Sequence, residues 1–225
     1  MSEIYDLSKI YEFFNPSEVD DEINIVGVGS VGSAIAEMLG RCGIKSITLW
    51  DFDDVESHNI VNQMFRQQDV GKKKVEAMAE ILHEINPAME VKVKPDGWNG
   101  EILSGYIFLA VDNIEIRKQI VESIYNSPYV EAVFDVRTLL TSAQHYAADW
   151  HNTKMKENLV NSMQFTHDEA MESAPVSACG ITLGVGTVVR IIASLVVNNF
   201  INFVKEMKIK KFINIDCFQF MMDAF

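Results

Sequence analysis

The segment "INIVGVGSVGSAIAEMLGRCGIKSITLWDF" (23–52) constrains this chain more than any other. Residues 23–28 are nearly all apolar, and Val31, Ile35, Met38 and Leu39 then recur at helical spacing until Gly43. A second apolar run, 46–52, follows. Two such strands joined through a helix belong to a parallel sheet with helices on both faces, because each strand has no polar side to show to water. Gly27, Gly29 and Gly32 stand as G-x-G-x-x-G at the strand–helix junction. The first allows a tight turn, the second lets phosphate approach the backbone, and the third lets the helix pack closely on its strand. Free amides and the helix dipole there favour an anion. Asp51, 19 residues after Gly32 at the end of the second strand, is placed to accept hydrogen bonds from a ribose. Up to this point a dinucleotide-dependent dehydrogenase and an ATP-splitting enzyme both fit.

The alternation continues. Residues 70–86 are expected to be a helix, 89–94 and 106–111 strands, 114–126 a helix and 130–136 a strand. Beyond 137 the character changes: 137–150 suggests an antiparallel strand, the polar stretch 151–175 a loop with one helical turn, about 184–205 a long helix, and 210–220 a final strand. No repeat or linker divides the 225 residues, so one α/β domain is expected over 1–225.

Charge and cysteine usage narrow the function classes. A formal charge of -13 opposes a nucleic-acid partner, which requires clustered Lys and Arg. Cys42, Cys179 and Cys217 form no Cys-x-x-Cys pair, which argues for a reducing compartment and against zinc. The acidic start lacks the form of a signal peptide, and the apolar stretch 184–197 contains Arg190 and is too short to span a bilayer. A cytoplasmic protein with no membrane partner is expected.

The stretch "DFDDVESHNIVNQMFRQQDVGKKKVEA" (51–77) resembles a signature of the ThiF/MoeB adenylyltransferases, bacterial relatives of ubiquitin-activating enzymes. The matching positions are Asp51, Asp53, Val55, Glu56, Asn59, Gln63, Asp69, Gly71 and Lys74, and "VDNIEIR" adds Asp112, Asn113 and Arg117. The resemblance covers roughly residues 22–205. It implies a Rossmann-like, mainly parallel sheet, with 22–137 as the ATP-binding half. The remainder, 138–225, is then the acceptor-side and dimerisation half, with antiparallel strands and a long helix. It further implies ATP and Mg²⁺ as cofactors, homodimerisation, and adenylation of a C-terminal glycine carboxylate on a small ubiquitin-like or sulfur-carrier protein, with release of pyrophosphate. In this scheme Gly27, Gly29 and Gly32 receive phosphate, while Asp51, Asp53, Asn59, Gln63 and Asn113 line the nucleotide pocket. Lys74 stabilises charge on the phosphates and Asp112 holds the metal.

Several positions depart from that pattern. Asn62 stands where the family has an arginine. If 59–67 were helical, Arg66 would project from the same face as Asn62 and bring a guanidinium to the site. Cys179, just before the long helix, is the candidate acyl acceptor because a helix N-terminus lowers a thiol pKa. Asp135 and Arg137 suggest an internal ion pair, with orientation of an incoming carboxylate as the alternative. Two other functions stay open. A nucleotide-binding member without turnover is motivated by Asn62. A NAD-dependent oxidoreductase would explain Gly27 to Asp51 but leaves Lys74 and Asp112 without a role.

Overall fold

Strand β1 (Ile23–Val26) is buried along its whole length and runs through the glycine turn into helix α1 (Ser30–Arg41) and strand β2 (Ser46–Trp50). The computed structural model describes residues 5–173, Val176 and 183–225. After β2 come α2 (Lys74–Ile85), β3 (Glu90–Lys94), β4 (Gly105–Leu109), α3 (Ile114–Ile124) and β5 (Val130–Thr138). The chain continues through β6 (Ser142–Asp149), α4 (Thr153–Asn161), α5 (His167–Ser173), α6 (Gly186–Glu206), β7 (Phe212–Asp216) and β8 (Met221–Ala224).

All eight strands form one sheet in the order β3-β2-β1-β4-β5-β6-β7-β8. β3 to β5 are parallel, and β6, β7 and β8 join antiparallel. The expected mainly parallel sheet with an antiparallel C-terminal part is therefore present. Strand order reverses direction between β1 and β4, and ligands of open parallel sheets bind in the crevice beyond the strand ends at such a reversal.

The helices divide between two faces. α1, α2 and α6 share one apolar cluster, and α3 shares another with Trp150 and with Leu159 of α4. α6 is the core helix of its face: Phe200 packs edge-on against Tyr106, Phe108 and Phe134. The 21-residue α6 contains an 18-residue window with a mean hydropathy of 1.6, long and apolar enough to cross a membrane by length and composition alone. Here it packs on α1, β5 and β6.

Two segments differ from expectation. The polar stretch 151–175 holds both α4 and α5 rather than one turn. Asn152 caps α4 by accepting from the Met155 amide, and the helix buries only Leu159, so its apolar periodicity is weak. The run 210–220 is β7 plus a turn, in which Asp216 accepts from the amides of Phe218 and Gln219 and Phe220 takes a left-handed φ of 55° before β8 begins.

Where the antiparallel strands meet α6, His145 is fully buried and stacks on Phe134. Its Nδ1 lies 3.1 Å from the Asp135 carbonyl and its Nε2 3.0 Å from Asn199 Nδ2. The Asn199 amide nitrogen can only donate, so Nε2 accepts, Nδ1 carries the proton and the ring is neutral. Burial pushes its pKa down to about 4.

Candidate functional site

The glycine turn follows from close contacts. Gly27 has φ +91°, and a Cβ there would lie 2.6 Å from the Val111 amide nitrogen. A Cβ on Gly32 would lie 1.8 Å from the Gly27 carbonyl oxygen. Gly29 differs: among the described residues a Cβ there would meet nothing within 4 Å, and no side chain caps α1. The space over Gly29 is open while the first amides of α1 point towards it, the condition for receiving an external anion.

Asp51 closes one side of this turn. Its Oδ2 accepts from the Val28 amide at 2.6 Å and its Oδ1 from the Asp53 amide at 2.9 Å. Burial raises the Asp51 pKa, while the Lys74 ammonium and these two amides oppose the rise. A carboxylate has about four acceptor positions, so two amides leave it capacity for sugar hydroxyls.

The block after Asp51 is zipped to the start of α2. The Val55 amide donates to the Lys72 carbonyl and the Gly71 amide to the Val55 carbonyl, both at 2.8 Å, with Gly71 at φ +90° turning the chain. This zip carries Lys74 to Asp53: Nζ lies 2.7 Å from Oδ2, with the lysine side chain 9% exposed and the aspartate 50%. Lys74 is thus a largely buried ammonium whose partner faces solvent.

Asn59 and Gln63 have different environments. Asn59 is buried and its Oδ1 accepts from the Glu56 amide in a capping box, so that atom is occupied locally. Gln63 Oε1 is buried with no hydrogen-bond partner among the described residues. An orphaned buried acceptor costs about 1–3 kcal/mol and is a place where a ligand donor fits.

The helical premise for Arg66 does not hold. Residues 57–69 are two short 3-10 turns, Ser57–Val61 and Gln67–Asp69, with Arg66 extended between them. Arg66 Nε lies 2.9 Å from Asp69 and Nη1 2.5 Å from Glu84, so the guanidinium is held by carboxylates instead of lying one helical turn from Asn62. Asp69 is fully buried and depends on this pair and on Lys72. Asn62 lies against the segment before α6, where a Cβ on Gly184 would sit 2.6 Å from its Nδ2.

Asp112 is exposed and directly follows the Val111 backbone that touches Gly27, so it stands beside the glycine turn. Asn113 caps α3, its Oδ1 accepting from the Glu115 amide at 2.8 Å. Arg117 holds this loop in place: Nε donates to the Val111 carbonyl and Nη1 to the Val136 carbonyl, both at 2.8 Å, and the guanidinium pairs with fully buried Asp135. Arg137 binds the other Asp135 oxygen at 2.7 Å, so the expected Asp135–Arg137 ion pair is present. The sequence pattern left Arg117 without a role; an arginine one turn into the expected helix 114–126, with Asp135 near the end of the expected strand 130–136, is the signal that was available. Cys179 lies outside the described residues. Burial raises the thiol pKa of Cys42 and of Cys217, which makes neither a ready nucleophile.

The family model described as "ThiF family" matches residues 19–225. The chain belongs to the ThiF family. Among curated proteins it is similar to ubiquitin-like modifier-activating enzyme 5 of Dictyostelium discoideum, at 32% identity over 146 residues, covering 61% of this chain and 36% of that protein. The enzyme of the same name from Caenorhabditis briggsae is 37% identical over 115 residues, covering 44% and 27%. The matches thus span well under half the length of these relatives. Among solved structures, E. coli MccB with ATP superposes with a TM-score of 0.71 at 17% identity, covering 93% of this chain and 65% of that one. E. coli TcdA, a tRNA N6-threonylcarbamoyladenosine dehydratase, gives 0.64 at 19%, covering 88% and 93%. These likenesses establish the ThiF-type fold. In this ThiF-family chain the open glycine turn, Asp51, Lys74 and Asp112 all lie on the side where the parallel strands end.

Proposed function

We propose that this chain adenylates a C-terminal carboxylate with Mg·ATP. The observation that carries the reading is the uncapped start of α1 over Gly29, flanked by Asp51 and by the Val111–Asp112 backbone. In this reading the first amides of α1 receive phosphate oxygens, Asp51 accepts from the ribose, and the orphaned Gln63 oxygen takes a donor from the nucleotide. Lys74 turns from Asp53 towards charge developing on the phosphates. Asp112, one exposed carboxylate, suits Mg²⁺, which keeps several waters and takes only one or two protein carboxylates. The substrate carboxylate oxygen bonds to the α-phosphorus as the bond to the bridging oxygen breaks, so AMP is transferred and pyrophosphate leaves. The relatives' name supports a ubiquitin-like protein as substrate; a sulfur carrier offers the same terminal glycine carboxylate. Two copies of the chain are proposed to assemble through the 138–225 half, with Cys179 as the acyl acceptor where a thioester forms.

Pyrophosphate exchange tests the reaction. With ATP, Mg²⁺, labelled pyrophosphate and proteins ending in glycine, labelled ATP is expected only when the carboxylate is present. Asp112→Ala is expected to abolish exchange while keeping the fold, and full activity in that variant would refute the metal assignment.

A second reading is a family member that binds nucleotide without turnover. It is favoured by Asn62 at the arginine position and by the engagement of Arg66 with Asp69 and Glu84. ATP binding measured beside exchange separates the two: binding without exchange across the glycine-ended proteins favours the second.

A further inference from the structure

β3 passes to β4 through the connection "PDGWNGEILS" (95–104). Of the chain's asparagines only Asn99, in this connection, precedes a glycine; Asn126 and Asn161 precede serine. Asparagine is a chemically labile residue, and a following glycine exposes it further, because no Cβ shields the next backbone nitrogen. Asn99 and Gly100 are both exposed, and Gly100 has φ +100° with open space where a Cβ would stand. Among the described residues neither the Gly100 amide nor the Asn99 side chain has a hydrogen-bond partner in the protein, so both face water. Their neighbours are anchored instead. Trp98 Nε1 donates to the Glu101 carbonyl at 2.8 Å, and Lys94 Nζ lies 2.6 Å from Glu101 Oε2. Asn99 and Gly100 are therefore the free tip of a turn closed at its base.

We propose that Asn99 is a self-modification site, converted by the folded chain and water into aspartate and isoaspartate. The Gly100 nitrogen, having lost its proton to hydroxide, bonds to Asn99 Cγ and closes a cyclic imide. The Cγ–Nδ2 bond breaks, and Nδ2 takes up a proton and leaves as ammonia. Water then opens the imide at either carbonyl and the Gly100 nitrogen regains its proton. Opening at one carbonyl gives aspartate. Opening at the other gives isoaspartate, which adds a methylene to the main chain. No oxidant or reductant is involved, and each event adds one negative charge to a chain that carries -13. The comparable positions have their attacking nitrogen held elsewhere. The Ser127 amide donates to the Ile124 carbonyl at 2.8 Å and the Ser162 amide to the Asn158 carbonyl at 3.1 Å, which restrains Asn126 and Asn161. In the same connection the Gly97 amide donates to the Lys94 carbonyl at 3.1 Å, which restrains Asp96 from the analogous ring closure. The hydrogen-bond pattern thus singles out Asn99.

This inference goes beyond the nucleotide reading and does not depend on it. The test uses the 225-residue chain and Asn99→Gln, in which the corresponding ring would be larger and closes far more slowly. Because Asn99 is exposed, the variant is expected to keep the wild-type melting temperature. Both proteins are held for several days at mildly alkaline pH, folded in buffer and unfolded in urea, then separated by anion exchange and mapped by peptide mass spectrometry. The folded wild type is expected to yield a more acidic species, heavier by about 1 Da, with the change and its isoaspartate fraction at position 99. Its rate is expected to rise with pH and to exceed that at Asn126 and Asn161 by about tenfold or more. In urea, where their serine amides are released, those two sites are expected to accelerate. The acidic species is expected to be missing from folded Asn99→Gln. An Asn99 that keeps its amide in the folded chain while reacting in urea would overturn the proposal, since the fold would then protect it. An acidic species of equal yield in the variant, or faster reaction at Asn126 or Asn161 in the folded wild type, would overturn it as well.

Discussion

Asp51 Oδ2 accepts a hydrogen bond from the Val28 amide at 2.6 Å, tying the end of β2 to the glycine turn that follows β1. One carboxylate thereby fixes the loop's position and faces the crevice. Asp51→Ala leaves the Val28 and Asp53 amides without that acceptor. The expected loss is about 1–3 kcal/mol by urea unfolding, together with at least a tenfold weaker ATP affinity by calorimetry. Unchanged affinity with lowered stability would leave Asp51 a structural role alone.

Gly29 and Gly32 are expected to separate binding from folding. A methyl on Gly32 collides with the Gly27 carbonyl, so Gly32→Ala should cost roughly 3 kcal/mol or more. Gly29 has φ -77° and ψ -144°, with open space above it among the described residues, so Gly29→Ala meets no clash and should lose much less stability than Gly32→Ala. The added methyl would occupy the phosphate position, so nucleotide affinity should fall about tenfold or more, the effect of losing about 1.4 kcal/mol. Thermal melts and ATP titrations of both variants check this contrast.

Lys74→Met is expected to reduce pyrophosphate exchange about 10²–10³-fold, the usual effect of removing one group that stabilises transition-state charge. Asp53, half-exposed, is left with water as a partner, so the fold should persist. Measured across an ATP titration, a variant with raised KM and unchanged kcat would place Lys74 in ground-state binding only.

How much of this was legible in the sequence depends on what each segment buries. β1, α1 and β2 announced themselves because the strands are apolar on both faces and Gly27 and Gly32 sit where backbone meets backbone. α4 did not, since it buries a single leucine. The blocks containing Asp51, Lys74 and Asp112 were visible as spacing, but the zip that brings Lys74 to Asp53 and the Arg117 clamp on Val111 and Asp135 were not, because both join residues across different loops. Arg66 was misplaced for a local reason. Asn59 and Asp69 each close their own short turn with a side-chain hydrogen bond, which competes with a continuous helix.

His145 gives a pH dependence independent of the nucleotide site. Its pKa is lowered to about 4 in the fold against an ordinary 6.5, so below 6.5 the unfolded chain takes up the proton first. Its contribution is fully present above pH 6.5 and is lost as pH falls towards 4, by about 3 kcal/mol if the whole shift is realised. Urea unfolding across that range is expected to show the slope in the wild type and to lose it in His145→Gln. A slope equal in both would assign the acid sensitivity elsewhere.

The most direct measurement is a crystal structure of this chain with Mg²⁺ and a non-hydrolysable ATP analogue. The expected result has the phosphates over Gly29 at the start of α1, the ribose on Asp51, the metal on Asp112, and Lys74 turned from Asp53 towards the phosphates. Phosphates bound elsewhere, or a crevice that orders a nicotinamide dinucleotide in preference to the ATP analogue, would contradict it.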